Sequence, residues 1–156
     1  MKTLESLESI IAEHPFCKGL DPRYVELLTG CASNVRFPAG ERLFRTGEPA
    51  DDFYILRHGD VAIEIREAAR GTVTVETIHE GDVLGWSWLV PPYRWSFDAR
   101  AITLVRAIAF DGACLRGKCE ENHDLGYEVL KRVTQVVSDR LAATRLQLLD
   151  LYGNKP

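Results

Sequence analysis

Apolar residues change their spacing twice along this chain, and the two changes divide it into three parts. At the start Leu4, Leu7, Ile10 and Ile11 recur at helical spacing and Pro15 follows the polar Glu13-His14 pair, which predicts an amphipathic helix over residues 3–14. Asp21-Pro22 then offers a capping side chain before a proline suited to a first turn, and Gly30 closes a second helix carrying Tyr24, Leu27 and Leu28. From Asn34 the pieces become short and β-like, punctuated by glycine: residues 35–37, 42–44 and 53–56. Val61, Ile63 and Ile65 alternate with Ala62, Glu64 and Arg66, as in a half-buried strand. Val73 and Val75 return after the turn at Ala69-Arg70-Gly71, and residues 97–110 hold two more strands parted at Ile102-Thr103. Evenly spaced short strands with turn signals predict a β-barrel or jelly roll.

Past Asp111-Gly112-Ala113 the spacing is helical again, with a short helix over residues 113–121 and a long one from about His123-Asp124. In the long helix Leu130, Val133, Val137, Leu141, Thr144, Leu148 and Leu151 follow at steps of three and four, the spacing of a coiled-coil seam. A second row, Leu125, Val129, Val136, Leu146 and Leu149, is available to lie on the barrel. Two apolar faces need burial and one barrel covers only one, so the seam predicts a homodimer.

Between the strands lies the stretch Leu84 to Arg100, which holds all three tryptophans. Pro91-Pro92 and Gly85 interrupt any regular sheet, so Trp86, Trp88, Tyr93, Trp95 and Phe97 belong to a loop or a single helical turn. Such a loop on a rigid scaffold is a common place for a binding site, and a plug that merely completes the core is the plainer alternative.

The chain has 156 residues, 46% hydrophobic and 27% charged, which suits one domain over 1–156: a helical lead-in (1–33), a β-barrel (34–111) and C-terminal helices (112–152). A net charge of −4 offers no basic field for a phosphate backbone, so nucleic acid is not an expected partner. No apolar run approaches the roughly 20 residues that cross a bilayer, and Glu5 and Glu8 stand where a signal peptide would be apolar. A cytoplasmic protein without membrane contact is expected. Its four cysteines, Cys17, Cys31, Cys114 and Cys119, are then expected as reduced thiols, with a redox pair or cluster role for Cys114 and Cys119 as the alternative. Their spacing matches no zinc pattern, and His14, His58, His79 and His123 are scattered, so neither a metal, another cofactor nor an enzyme is expected.

The run Leu43-Phe44-Arg45-Thr46-Gly47-Glu48-Pro49-Ala50-Asp51-Asp52-Phe53-Tyr54-Ile55-Leu56-Arg57-His58-Gly59 resembles the glycine-punctuated signature of the cyclic nucleotide-binding domain of the catabolite-activator and oxygen-regulator family. Glycines 40, 47, 59, 81 and 85 sit where that family has turns. The resemblance covers nearly the whole chain and implies a mainly β fold with flanking α: an eight-stranded jelly roll (a double-stranded β-helix) with N-terminal helices and a long dimerisation helix.

In that family the tryptophan stretch is the phosphate-binding cassette. A Gly-Glu opens a short helix, and an arginine about nine residues later holds the cyclic phosphate while the glutamate takes the ribose hydroxyl. Here Gly85 is kept, Trp86 takes the glutamate position, Trp95 the arginine position and Asp98 the hydroxyl position. Arg94 lies one residue from the arginine position, close enough in sequence for a one-residue shift to bring it into the pocket or for Asp98 to neutralise it. The resemblance therefore implies a degenerate cassette built from Gly85, Trp86, Ser87, Trp88, Arg94, Trp95, Ser96 and Asp98, with Thr144 placed where the family's dimer helix reaches the base. In the activators a winged helix-turn-helix follows that helix, whereas this chain stops at Pro156, so DNA binding of its own is not expected. Two functions remain: a dimeric regulatory domain that signals by touching another protein, and an effector-binding module for a nucleotide-like or planar ligand.

Overall fold

The computed structural model describes residues 6–153, and Leu4 of the predicted first helix lies outside them. Helices α1 (Leu7–Glu13) and α2 (Pro22–Thr29) precede eight strands: β1 (Ala32–Phe37), β2 (Arg42–Phe44), β3 (Asp52–His58), β4 (Val61–Glu67), β5 (Gly71–Ile78), β6 (Val83–Leu84), β7 (Asp98–Ala101) and β8 (Val105–Asp111). Helices α3 (Gly112–Glu121) and α4 (His123–Gly153) end the described chain. The strands form two antiparallel four-stranded sheets, β1-β8-β3-β6 and β2-β7-β4-β5, the jelly roll the sequence predicts.

The helix starts follow from local chemistry. Ser6 accepts from the Ser9 N–H, Asp21 from the Arg23 N–H with Pro22 in the first turn, and Asp111 from the Cys114 N–H. Gly30 follows α2 in a right-handed conformation, so it ends that helix without the left-handed turn a closing glycine often makes.

Two cores share the sheet β1-β8-β3-β6, which explains why β3 reads as an unbroken apolar run where β4 alternates. Tyr54 and Leu56 of β3, with Val105, Ala107 and Ala109 of β8, face the barrel interior. Phe53 and Ile55, with Ile108 and Phe110, face the opposite way, onto the helices. There Ile11, Val25, Leu28, Leu115, Leu125, Val129 and Val133 complete a second core. The long helix thus lies on the barrel through Leu125, Val129 and Val133, and Val136 and Val137 pack against the same cluster half-buried. Val133 and Val137 were expected on the dimer seam, but Val133 stands four residues after Val129 on the face that meets the barrel, and Val137, four residues farther, is half-buried at the edge between that face and the exposed one.

The cysteines correct a second expectation. Cys31 and Cys114 form a disulfide, their Cα atoms 5.7 Å apart, while Cys17 and Cys119 are free. The pairing of Ala32 with Phe110 brings the β8–α3 turn over the start of β1, and the Asp111 N–H donates to the Cys31 carbonyl at 2.9 Å. Cys114 is therefore not the partner of Cys119. Burial pushes the Cys17 thiol up to about 12, which leaves it inert. Because the bond closes a long loop, with 83 residues of sequence separation, its reduction is expected to cost about 2–4 kcal/mol. Urea midpoints with and without a phosphine reductant measure this. The variant C31S/C114S should match the reduced protein, and identical midpoints for reduced and unreduced wild type would show that the bond carries no stability.

Candidate functional site

Residues 85–97 run as a series of turns with no helix among them. The Leu89 N–H donates to the Trp86 carbonyl, and the Tyr93 N–H to the Val90 carbonyl across a cis Pro91–Pro92 peptide. The second half of the segment is zipped to the β2–β3 loop: Trp95 N–H to the Glu48 carbonyl at 3.0 Å, Gly47 N–H to the Trp95 carbonyl at 2.8 Å, and Ala50 N–H to the Tyr93 carbonyl at 2.7 Å. These bonds fix Trp95 with its indole turned into the barrel. It is 4% exposed and stacks on Phe44 with ring centres 3.6 Å apart and planes 8° apart. The other side of the indole rests on Gly85. A Cβ there would stand 2.3 Å from the ring, and the φ of 87° favours glycine in its own right. Gly85, in the family a turn before a phosphate, here makes room for an aromatic ring.

The remaining tryptophans part company. Trp88 is fully buried among the helices, 5.5 Å from Phe53, and its carbonyl accepts from Arg116 Nη1. Trp86 is only half-buried and borders a cavity of about 380 Å³. Of the two tryptophans at the glutamate and arginine positions of the resembled cassette, Trp95 alone is buried in the core. Ser87 sits half-buried in the turn between Trp86 and Trp88.

Arg94 does not reach the cavity. Its Nη1 donates to the Gly47 carbonyl at 2.8 Å, and the side chain borders a separate space of about 550 Å³ with Asp51, Asp52 and Asp111. Asp98 does not reach it either, and it does not neutralise Arg94. Its neighbour Ala99 faces the interior, so Asp98 faces outward, where it accepts from the Thr46 N–H (2.7 Å) and hydroxyl (2.9 Å) and pairs with Arg42 at 3.1 Å and Arg66 at 3.5 Å. Burial works against its charge, but Thr46 and the two arginines outweigh burial and hold the carboxyl below its ordinary value. Arg42 also pairs with Glu64, which Arg100 holds from the other side at 3.0 Å. This network ties β2, β4 and β7 together on the outer face of the sheet.

Three of the nine cassette candidates meet at the cavity: Trp86, Ser96 and Thr144. The other walls are Ile63 and Ile65 of β4, Val75 and Glu76 of β5, Phe97, and Val137, Arg140 and Leu141 of α4. Arg140 is the group the sequence reading passed over. It lies four residues before Thr144, one helical turn along the same face, and the Thr144 hydroxyl donates to its carbonyl at 2.8 Å. The guanidinium stacks over Trp86 at 5.5 Å, its Nε lies 3.5 Å from a Glu76 oxygen, and its Nη2 donates to the Val83 carbonyl. Burial lowers its affinity for the proton, while Glu76 and Asp82 pull the other way. The one guanidinium beside the cavity thus comes from the long helix, and a carboxylate already stands next to it.

Residues 34–122 match the model of the cyclic nucleotide-binding domain. The chain belongs to the cyclic nucleotide-binding domain family. It is similar to a CRP-like cAMP-activated global transcriptional regulator of Mycobacterium tuberculosis, 31% identical over 146 residues that span 93% of this chain and 63% of that protein. The fold is that of a cyclic nucleotide-binding domain from Methylobacillus flagellatus (TM-score 0.81, 18% identity, 92% of this chain and 83% of the other). It is also that of the c-di-GMP responsive global regulator CLP of Xanthomonas campestris (TM-score 0.73, 18% identity, 86% and 66%). The cavity lies between β4, β5, the tryptophan segment and α4. Among the described residues no helix is long and apolar enough to cross a membrane.

Proposed function

We propose that this chain is a regulatory sensor domain with a degenerate phosphate-binding cassette, which does not hold cAMP or cGMP tightly, acts in the cytoplasm without catalysing a reaction, and does not engage DNA by itself. It works as a homodimer through α4 and passes its state to another protein by contact. The observation that carries this reading is Trp95. At the position of the family's arginine stands a buried indole, stacked on Phe44 and held by three backbone hydrogen bonds between its segment and residues 47–50. An indole brings neither the charge nor the paired donors with which a guanidinium holds a phosphate. The net charge of −4 supports the absence of DNA contact.

The Mycobacterium tuberculosis relative is cAMP-activated by name, so cyclic nucleotides are the ligands to test. Loss of the guanidinium and of the ribose acceptor removes charge-assisted bonds of about 1.5–3 kcal/mol each. Calorimetric titration with cAMP and with cGMP is expected to give dissociation constants weaker than about 100 μM. A sub-micromolar constant for either would overturn the reading.

A second reading is favoured by the cavity at Trp86: an effector-binding module that takes a small ligand of altered chemistry and signals through α4. Four of its lining residues, Val137, Arg140, Leu141 and Thr144, belong to the helix that carries the proposed dimer seam, so a ligand there would bias how α4 lies on the barrel.

A further inference from the structure

We propose that the cavity bordered by Trp86 and Arg140 is a site for a neutral, planar aromatic molecule carrying a hydrogen-bond donor, and that it discriminates against anions. This inference rests on the effector-binding reading and names the chemistry of its ligand.

The volume, about 380 Å³, falls within the range of small-molecule sites. Most of the wall is apolar, with Trp86 and Phe97 supplying ring surface and Ile63, Val75 and Leu141 aliphatic surface. Ile65 and Val75, both off the proposed dimer stripe, are each left more than two-fifths exposed at its rim. Such a cluster of exposed aliphatics on one mouth is what a bound apolar body would cover.

Polarity in the cavity decides the charge of the ligand. Arg140 and Glu76 are the charged side chains that face it, one of each sign, so their formal charges cancel. The guanidinium is already committed on three sides, to Glu76, to the Val83 carbonyl and to the face of Trp86. An incoming phosphate or carboxylate would have to strip Arg140 from these partners and settle beside the Glu76 carboxylate, a like charge in a half-buried place. A neutral ring with an O–H or N–H meets no such obstacle. It lies against Trp86 and Phe97, and its donor finds the Glu76 carboxylate or the lone pairs of the Ser96 and Thr144 hydroxyls.

Naphthol and naphthoate are matched probes, alike in ring and opposite in charge at neutral pH. Calorimetry on the full chain is expected to show naphthol binding at least about tenfold more tightly than naphthoate. Val75→Trp, on a half-exposed strand position at the rim, fills the space and should weaken naphthol by at least about tenfold with an unchanged cooperative melt. Ser96→Trp, from another wall, gives the same readout should the first variant fail to fold. Glu76→Gln removes the like charge beside Arg140 and should reverse the preference, strengthening naphthoate by about tenfold or more. Equal or tighter binding of naphthoate by the wild type, binding untouched by both tryptophan variants, or saturation by neither probe would each overturn the inference. The titration with cAMP and cGMP tests the parent reading separately. A tight nucleotide complex sinks that reading, whereas a naphthoate preference with no nucleotide binding sinks this inference alone.

Discussion

Trp95→Ala is expected to destabilise the fold by about 3–5 kcal/mol, whereas Trp86→Ala should cost less than about half of that. The two residues belong to one loop and are the same amino acid, so the difference is one of environment. Trp95 fills the barrel interior between Phe44 and Gly85, and Phe97 lies 6.2 Å from its ring. Its truncation leaves a void among rigid strands that cannot collapse, because the segment is pinned by the bonds to residues 47–50. Trp86 borders a cavity that already exists, so its loss enlarges an open space and gives up a cation–π contact with Arg140 worth about 0.5–2 kcal/mol. Urea unfolding followed by circular dichroism reads both, with the midpoint moving and the slope unchanged if the native state stays compact. Equal losses at the two positions would mean that Trp86 is core as well and the cavity is closed in solution.

The fold was legible because its signals are local and repeated. Asp21-Pro22, the alternation of β4 and the turn at Ile102-Thr103 each fix an element from within a few residues, and the structure places elements there. The site was legible only in part. That Trp95 takes the arginine position of the resembled cassette can be counted along the chain, but the direction of a side chain in a turn cannot. Arg94 and Asp98 looked like neighbours of a pocket, and the register of β7 and the bond to Gly47 send both away from it. Arg140 was missed because it lies over forty residues from the cassette and meets it only once α4 lies on the barrel. The disulfide was missed for the same reason, since nothing local links Cys31 to Cys114.

The largest change in behaviour is expected at the far side of α4. Replacing Leu130 and Leu148 with glutamate should convert a dimer into monomers of 17.5 kDa without unfolding the barrel. The wild type should sediment at twice that mass. From Leu141 onward every residue of α4 is exposed within its own chain, including Leu146, Leu148, Leu149, Leu151 and Tyr152. Once Val133 is removed from the expected seam, the exposed positions Tyr127, Leu130, Thr134, Leu141, Thr144, Leu148 and Leu151, with the half-buried Val137 at their edge, still follow at alternating steps of three and four. A stripe of that period is covered well by a second copy of itself around a two-fold axis. Leu130 and Leu148 are 53% and 52% exposed and do not line the cavity at Trp86, so charging them leaves the domain's own packing alone. Each chain would withdraw two leucines from the interface, at about 1.5–3 kcal/mol apiece, enough to weaken association by several orders of magnitude. Val133→Glu is the contrasting variant. With Val133 only 5% exposed against the barrel, it should unfold the chain instead of separating it. A wild type that sediments at 17.5 kDa at micromolar concentration would show that α4 meets some other surface.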